Sequence, residues 1–509
     1  MGAGRVSRKI ILFGIDGADW AFLNEWIGSG FLPNLATLVK SGVRASLQSV
    51  LPLNSASAWV TIITGRSPGA HGIFGFMRND IKTYKRRPVC PDDIGAAAIW
   101  DILNAHGEPI GVINCPITYP PPAVNGFIVS GILIPHNDLW AYPPEVESQL
   151  RNLFRPYLVD VTWTSVDEDR PGDLEKFLAD IYLMTRKQEE VALKCLTTWP
   201  WQALAVFFTG TDRIMHRFWH LTDENHPRHS PDAAKIFKDE IRKYFSLIDD
   251  VIGSIIEKNP GVPVIVVSDH GFGPLHRRFY SRKWLEKRGY LVRKKADDSS
   301  DVDEALKGIN FDMSRAFPAS ISESGVWINL KGRQQNGIVS TGDYEQLREK
   351  IIRELEEYQV EGRERPVKKA IRREETLKGP YIEEAPDILI NASETFIIDD
   401  GVSDVVVGPS NRETGTHRPA GIFIASGQGF KQGAILPDFY LVDVLPTFLT
   451  ACNLPVPKDL EGKVIFEAFD RPPDVIYSPP ITHKRPTRNG DMLEEDQKRK
   501  EQLKGLGYL

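Results

Sequence analysis

Long apolar segments alternate with amphipathic ones along most of this sequence. Continuous runs of branched and aromatic residues predict strands buried on both faces, at residues 10–15, 110–114, 203–208, 262–268 and 421–425. Between them, apolar side chains recur every three or four residues, which predicts one helix over residues 237–255 and another that includes residues 174–181. This alternation is typical of an α/β fold in which helices sandwich a mostly parallel sheet.

Three segments depart from this pattern. Residues 118–165 are rich in proline, tyrosine and tryptophan with little periodicity, and residues 294–303 (KKADDSSDVD) form a charged loop. Five prolines between residues 471 and 493 predict a linker or wrapping arm. We therefore predict a main domain over residues 1–470 with lid insertions near 118–200 and 275–385, followed by a proline-rich arm and a helix-like tail over residues 471–509.

Composition narrows the class of protein. With 509 residues, 41% hydrophobic and 26% charged, the sequence excludes a disordered or fibrous protein. Its 62 basic and 68 acidic residues leave a net charge of -6, so no basic excess indicates nucleic acid. The chain shows no signal peptide, no apolar run of about 18 residues and no paired cysteine spacing. We therefore expect a cytoplasmic protein with no membrane span and with reduced thiols.

Carboxylates follow three of the predicted strands. Asp16 ends the first strand, Asp212 follows another with His216 four residues later, and Asp269 and His270 end a third. In open α/β sheets, ligands bind beyond the carboxyl ends of the strands. These side chains are the oxygen and nitrogen ligands of divalent metals, so we expect a metal site at this edge.

Each feature alone has a structural alternative. Asp16 could form a turn or cap a helix, and Asp212 with His216 could be a surface pair on one helical turn. Asp269 and His270 could form a turn before a glycine. The three features together favour the metal cluster, because buried carboxylates need a compensating positive charge.

A candidate nucleophile lies in the segment PLNSASAWVTIITG, residues 52–65. Ser55 or Ser57 is expected at the N-terminus of a helix, where backbone amides favour an anion. The alternative is that one of these serines only caps the helix.

These motifs resemble the alkaline phosphatase superfamily, and within it the type I phosphodiesterase and nucleotide pyrophosphatase branch. The matching segments are FGIDG, NSASAW with TGRSPGAHGI, TDRIMH, VSDHGF and GTHRPAGIF, which contains His417. The segments DVLPTFLTACNLPVP and LKGLGYL resemble a group of phosphohydrolases or phosphomutases in the same superfamily. The resemblance implies an alkaline-phosphatase-like catalytic domain.

The resemblance also implies two divalent metal ions, with zinc expected and manganese as the alternative. Ser55 takes the position of the nucleophile, four residues before Trp59, and its oxygen would complete the second ion site. The implied ligands of the first ion are Asp212, His216 and His417, and those of the second are Asp16, Asp269 and His270.

The implied activity is hydrolysis of a small-molecule phosphate mono- or diester through a phosphoseryl intermediate. Phe76 stands where nucleotide pyrophosphatases have a phosphate-binding asparagine, and the sulfatase motif CxPxR is missing. Two alternatives stay open: a phosphomutase, and a catalytically silent protein that binds a phosphorylated ligand through its metals.

Three further residues have open roles. His71 is expected to pack within a loop. Arg277 and Arg278 follow the VSDHGF motif, where they could hold a substrate phosphate or be solvated.

Overall fold

The computed structural model of the chain describes residues 7–135, 140–153, 158–163, 166, 170–294, 302–481, 483 and 493–508. Most of the predicted charged loop (295–301) and part of the proline-rich arm (482 and 484–492) lie outside the described residues. In the described part, no helix is long and apolar enough to cross a membrane.

A sheet of ten strands forms the centre of the described structure. Strand Gly42–Gln48 also pairs with Phe439–Tyr440. The other strands follow in the spatial order Ala434–Ile435, Gly42–Gln48, Ala420–Ser426, Val264–Val267, Ile10–Ile15, Ala203–Phe208, Ile110–Ile113, Gly126–Val129 and Ala141–Tyr142.

Most of these strands are parallel, as the sequence predicts. Ile10–Ile15 pairs in parallel with both of its neighbours, whereas Ala420–Ser426 is antiparallel to the strands on its two sides. Alternate side chains of Ile10–Ile15 enter two different apolar cores, with Phe13 in one and Leu12 in the other. A strand covered on both faces needs apolar residues at every position, which explains the continuous apolar run.

Helices cover both faces of the sheet. One face carries Trp20–Gly28, Pro33–Ser41, Pro144–Leu153, Pro171–Thr198, Gly210–Thr222, Pro231–Phe237 and Glu240–Glu257. The opposite face carries Ser55–Thr64, Ile99–Ala105 and Val444–Ala451. Further helices are Pro68–His71, Ser281–Lys287, Thr341–Glu357, Arg373–Thr376 and Leu493–Gly505.

Two sequence predictions differ from the structure. The helix predicted over residues 237–255 is two helices, because a short turn separates Phe237 from Glu240 while both helices bury their apolar sides in the same core. The segment near 118–200, predicted as a lid insertion, contributes Gly126–Val129 to the central sheet and packs Pro171–Thr198 against it. This strand has only three consecutive apolar residues, 127–129, which is shorter than the runs of about four to eight that predict a buried strand.

The predicted insertion near 275–385 contains most of a second, smaller unit. Its main sheet has the order Ala316–Pro318, Gly325–Ile328, Ile388–Ala392 and Val367–Arg372. Helix Thr341–Glu357 packs on this sheet around a separate apolar core. A three-stranded sheet of Phe396–Asp399, Arg277–Tyr280 and Val407–Pro409 adjoins it. The described residues also form two-stranded sheets: Gly271–Pro274 with Gly415–Arg418, Met77–Asp80 with Lys85–Pro88, and Val456–Pro457 with Tyr477–Ser478.

Candidate metal centre

The three predicted carboxylates lie together at one edge of the central sheet. Asp16, Asp212 and Asp269 follow adjacent parallel strands, so the strand ends place them side by side. Gly17, at φ +75°, turns the chain after Asp16, and its amide donates to Asp269 Oδ1 at 3.3 Å. This positive φ is the left-handed region that strains residues with a side chain, so the turn favours glycine.

His417 reaches the same edge from a later part of the chain. Strand Gly415–Arg418 pairs with Gly271–Pro274, which follows His270 directly. The rings of His270 and His417 stack with their centroids 3.8 Å apart. The chain then enters strand Ala420–Ser426, whose antiparallel direction makes its first residues lie where the parallel strands end.

The structure brings all six predicted ligands together. In one group, His270 Nε2 lies 3.4 Å from Asp16 Oδ1 and 3.3 Å from Asp269 Oδ2. In the other, Asp212 Oδ1 lies 3.2 Å from both His216 Nε2 and His417 Nε2. His270 borders both groups, because its ligand atom and those of Asp212 and His417 also lie within 4.8 Å of one another.

Backbone carbonyls orient the histidine rings. His216 Nδ1 lies 2.8 Å from the Gly415 carbonyl oxygen, and His270 Nδ1 lies 3.0 Å from that of Gly271. A carbonyl oxygen can only accept, so Nδ1 carries the proton in both rings. When these rings are neutral, the Nε2 lone pairs point into the centre, in the arrangement typical of metal-ligating histidines.

The charge of the centre fits bound cations. Burial raises the pKa of Asp16, and the charges of Asp269 and Asp212 raise it further; burial and Asp212 likewise raise the pKa of Asp269. Asp269 Oδ2 accepts no hydrogen bond from any residue in the described part of the chain. Divalent metal ions would neutralise these carboxylates, and the carboxylate and imidazole donors suit zinc or manganese.

Asp212 differs from the other two carboxylates. Burial alone would raise its pKa, but His216, His417 and Arg213 together hold it well below its usual range. Arg213 Nη1 donates to Asp212 Oδ2 at 2.5 Å, which leaves Oδ1 facing the histidines. The guanidinium therefore fixes which oxygen of Asp212 is presented to the centre.

Of the two candidate serines, Ser55 faces the centre. It is the first residue of helix Ser55–Thr64, and its Oγ lies 3.2 Å from His270 Nε2 and 3.5 Å from Asp16 Oδ1. The Ser57 hydroxyl instead donates to the carbonyl oxygen of Pro52 at 2.7 Å. Neither serine caps the helix, because the side chain of Asn54 accepts from the Ser57 amide at 3.0 Å.

The residues with open roles have structural partners. Arg278 pairs with Asp399 at 2.5 Å and with Glu413, and Arg277 pairs with Glu364 at 3.1 Å. These pairs hold both arginines in ion pairs with carboxylates outside the ligand groups. His71 is fully buried and contacts the hydroxyl of Thr61 at 3.1 Å, as expected for a packed histidine.

Sequence reasoning missed three side chains that support the centre. Arg213 directly follows Asp212, Trp59 Nε1 donates to Asp16 Oδ2 at 3.2 Å, and Asn54 caps the helix of Ser55. Asparagine is a preferred capping residue, so Asn54 was available as a signal. The contacts of Arg213 and Trp59 depend on tertiary packing.

A cleft with a cavity of about 170 Å³ opens beside His216 and His417. Its walls come from the loop before Ser55, from the smaller unit and from the C-terminal tail. The lining includes apolar Leu51, Leu53, Ile390 and Ile398, basic Lys368 and Arg418, and acidic Glu394 and Glu413. The cleft therefore joins the candidate metal centre to a surface of apolar side chains with both basic and acidic ones.

The fold and the side chains at the sheet edge define a phosphoric ester hydrolase of the alkaline phosphatase superfamily. The family model "Type I phosphodiesterase / nucleotide pyrophosphatase" matches residues 10–419, and the chain belongs to this family. Enzymes of the family depend on divalent metal ions. Curated protein sequences gave no match.

Solved structures share the fold at low sequence identity. An inactive murine ectonucleotide pyrophosphatase/phosphodiesterase 5 in complex with AMP is 16% identical, with a TM-score of 0.50 over 88% of this chain and 95% of that one. Phosphonoacetate hydrolase from Sinorhizobium meliloti 1021, in complex with phosphonoacetate, is 15% identical, with a TM-score of 0.51 over 86% and 94%. These likenesses support the alkaline-phosphatase-like α/β architecture.

Proposed function

We propose that this chain hydrolyses a small-molecule phosphate mono- or diester with two divalent metal ions, zinc or manganese, and a phosphoseryl intermediate on Ser55. The position of Ser55 carries the proposal: its Oγ lies within 3.5 Å of two ligands of one group. The ions, when bound, would favour the ionised serine and stabilise charge on the phosphoryl and leaving-group oxygens. Asp212, His216 and His417 would hold one ion, and Asp16, Asp269 and His270 the other.

The residues of the chain supply the geometry of the reaction. The N-terminus of helix Ser55–Thr64 favours an anionic phosphoryl group beside Ser55. Ser55 Oγ attacks phosphorus while the bond from phosphorus to the leaving oxygen breaks. Water then hydrolyses the phosphoseryl ester, and two displacements give net retention of configuration. Lys368 and Arg418 would attract an anionic substrate, although Glu394 and the Arg278-paired Glu413 also line the cleft.

The test begins with a substrate screen. Purified protein, loaded with zinc or manganese, is assayed against phosphate monoesters, diesters and phosphonates, and its metal content is measured on the same sample. Activity that requires metal, with about two ions per chain, supports the proposal. Metal-loaded protein with no hydrolase activity on any of these classes contradicts it.

Ser55→Ala and Ser57→Ala form a matched pair for the nucleophile. Ser55→Ala removes the covalent route and leaves six ligands, so turnover should fall by at least about a thousandfold while metal content changes little. Ser57→Ala should retain most activity, because its hydroxyl faces the turn at Pro52. Near-normal turnover of Ser55→Ala, or trapped phosphate on another residue, would reject Ser55 as the nucleophile.

A further inference from the structure

The C-terminal tail reaches the candidate metal centre. Helix Leu493–Gly505 leads to residues 506–508, which line the cleft beside His216 and His417. Leu503, Leu506 and Tyr508 are buried in an apolar cluster that also contains Ala56 of the helix of Ser55. The Tyr508 ring packs on Phe76 with centroids 4.2 Å apart. The end of the chain is therefore part of the wall around the centre.

One contact of the tail leads to Asp212. The hydroxyl of Tyr508 accepts from Arg213 Nη1 at 3.1 Å, and the same nitrogen donates to Asp212 Oδ2 at 2.5 Å. Asp160 holds the other side of this guanidinium, at 3.1 Å from Nε and 2.9 Å from Nη2. Arg213 is only 1% exposed. Tyr508 and Asp160 together fix the guanidinium that orients Asp212.

A second contact leads to His216. The Gly505 carbonyl accepts from the Trp163 amide at 3.1 Å, and the Trp163 ring stacks on His216 with centroids 5.5 Å apart. Gly507 adopts φ +76°, and a Cβ there would lie 2.5 Å from the Trp163 ring. Only glycine therefore lets the tail lie this close to Trp163. The tail supports two ligands of the same predicted ion.

We propose that residues 505–508 are a positioning element of one metal site: they hold Asp212 through Arg213 and His216 through Trp163. The inference rests on the proposed two-ion function. It predicts an asymmetric effect, because the tail contacts through Arg213 and Trp163 run to the Asp212 group. Toward the helix of Ser55 the tail makes apolar packing around Ala56, and Asp269 receives its hydrogen bond from Gly17. Loss of the tail should weaken the binding of the ion held by the Asp212 group and leave the binding of the other ion unchanged.

Gly507→Ala is the most selective variant, and Gly289→Ala is its control. Gly289 has a similar φ of +72° but no atom within 4 Å of the added Cβ, so it reports the backbone strain alone. Tyr508→Phe removes only the hydroxyl and keeps the ring packing. A chain that ends at residue 504 removes all the contacts, and the two point variants decide the question if it fails to fold.

The main measurement is the affinity of each ion, by equilibrium dialysis against chelator-buffered zinc. Partners behind a metal ligand contribute about 10- to 100-fold to affinity, so Gly507→Ala should weaken one ion by at least about tenfold. Tyr508→Phe should weaken the same ion by less, and Gly289→Ala should bind both ions as the wild type does. Wild-type affinity for both ions in Gly507→Ala and Tyr508→Phe would overturn the proposal.

Assigning the affected ion separates this inference from a purely structural role. In an Asp269→Asn background the remaining ion belongs to the Asp212 group, and Gly507→Ala should still weaken it. In an Asp212→Asn background, Gly507→Ala should leave the remaining ion unchanged. Equal weakening in both backgrounds would overturn the proposal, since the tail would then act only on general stability.

Hydrogen exchange gives a readout that needs no metal. In the metal-free protein, helix Gly210–Thr222 should exchange faster in Gly507→Ala than in Gly289→Ala, because Arg213 and His216 lie on this helix. If the wild type binds fewer than two ions, the two-ion function fails, and exchange alone decides the role of the tail. Equal exchange of this helix in Gly507→Ala and Gly289→Ala would overturn the proposed role of the tail.

Discussion

Two clusters of buried carboxylates in this protein differ in how their negative charge is neutralised. In the smaller unit, Asp387 accepts from Arg333 at 2.7 and 2.6 Å, from the Tyr344 hydroxyl at 2.6 Å and from the Ile328 amide at 2.7 Å. Arg373 lies 3.4 Å from the same carboxylate. At the sheet edge, the guanidinium of Arg213 is bonded to Asp212 and also pairs with Asp160, so it does not neutralise the buried carboxylates of Asp16 and Asp269.

The difference separates a structural cluster from a metal centre. Burial opposes the charge of Asp387, but Arg333 and Arg373 hold its pKa below its ordinary value. The pKa of Asp16 and that of Asp269 are raised, because burial and neighbouring carboxylates act in the same direction. A cluster with excess negative charge and an unbonded oxygen favours either protonation or a bound cation, and divalent metal ions supply the latter.

The largest expected effect comes from Asp269→Asn. The amide keeps the shape and can still accept from Gly17, but it removes a charged ligand from the second ion site. We expect activity to fall by about a thousandfold or more and metal content to fall toward one ion per chain. Activity assays and elemental analysis check this. Asp232→Asn, at an exposed pair with Lys235, is the control and should match the wild type.

The corresponding substitution in the cluster of the smaller unit is Asp387→Asn. It leaves Arg333 and Arg373 without their carboxylate, and breaking a buried ion pair destabilises proteins by about 3 to 5 kcal/mol. We expect chemical denaturation to show a loss of this size, while the folded variant binds metal as the wild type does. A variant that unfolds normally but loses metal would contradict the distinction between the clusters.

Metal removal should affect only the sheet edge. Ligands that bind the folded state stabilise it by about 2.7 kcal/mol per site at a free concentration of a hundred times Kd. Chelation should therefore lower the free energy of unfolding of the wild type and of Asp387→Asn by the same amount. For Asp269→Asn, chelation should lower the free energy of unfolding by a smaller amount. Equal losses in all three proteins would show that the stabilising ions bind elsewhere.

The smallest expected effect is a pH dependence of metal-free protein. Because the pKa of Asp269 is raised by folding, the native state binds more protons than the unfolded chain above the ordinary value of 3.8. This contribution therefore stabilises the fold as pH falls from neutral toward that value. For Asp387 the sign is reversed, because its stabilisation is present above 3.8 and is lost as pH falls through the lower folded pKa.

Asp269→Asn tests the sign. Without metal, the variant should be more stable than the wild type at pH 7, because it carries no charge to repel Asp212. The difference in free energy of unfolding should shrink as the pH is lowered toward 5. A difference that stays constant over this range would contradict the raised pKa.

Sequence patterns predicted the central strands and the positions of Asp16, Asp212 and Asp269 because a strand buried on both faces leaves a continuous apolar run. Residues after parallel strands must share one edge, so the convergence of these carboxylates follows from strand direction. The four-residue strand Gly126–Val129 and the turn before Glu240 stayed hidden. The strand offers only three consecutive apolar residues, 127–129, and the apolar spacing of residues 237–255 continues across the turn.

The sequence by itself determined the fold class, the ligand types and the serine that resembles a nucleophile, since these depend on local composition and order. The resemblance already selected Ser55 over Ser57, but only the tertiary structure gave the contact of its Oγ with His270, the capping bond of Asn54, and the support of Arg213 by Tyr508. These contacts join residues through rotamers, strand direction and packing of distant segments. Hydrophobic periodicity carries no information about any of the three.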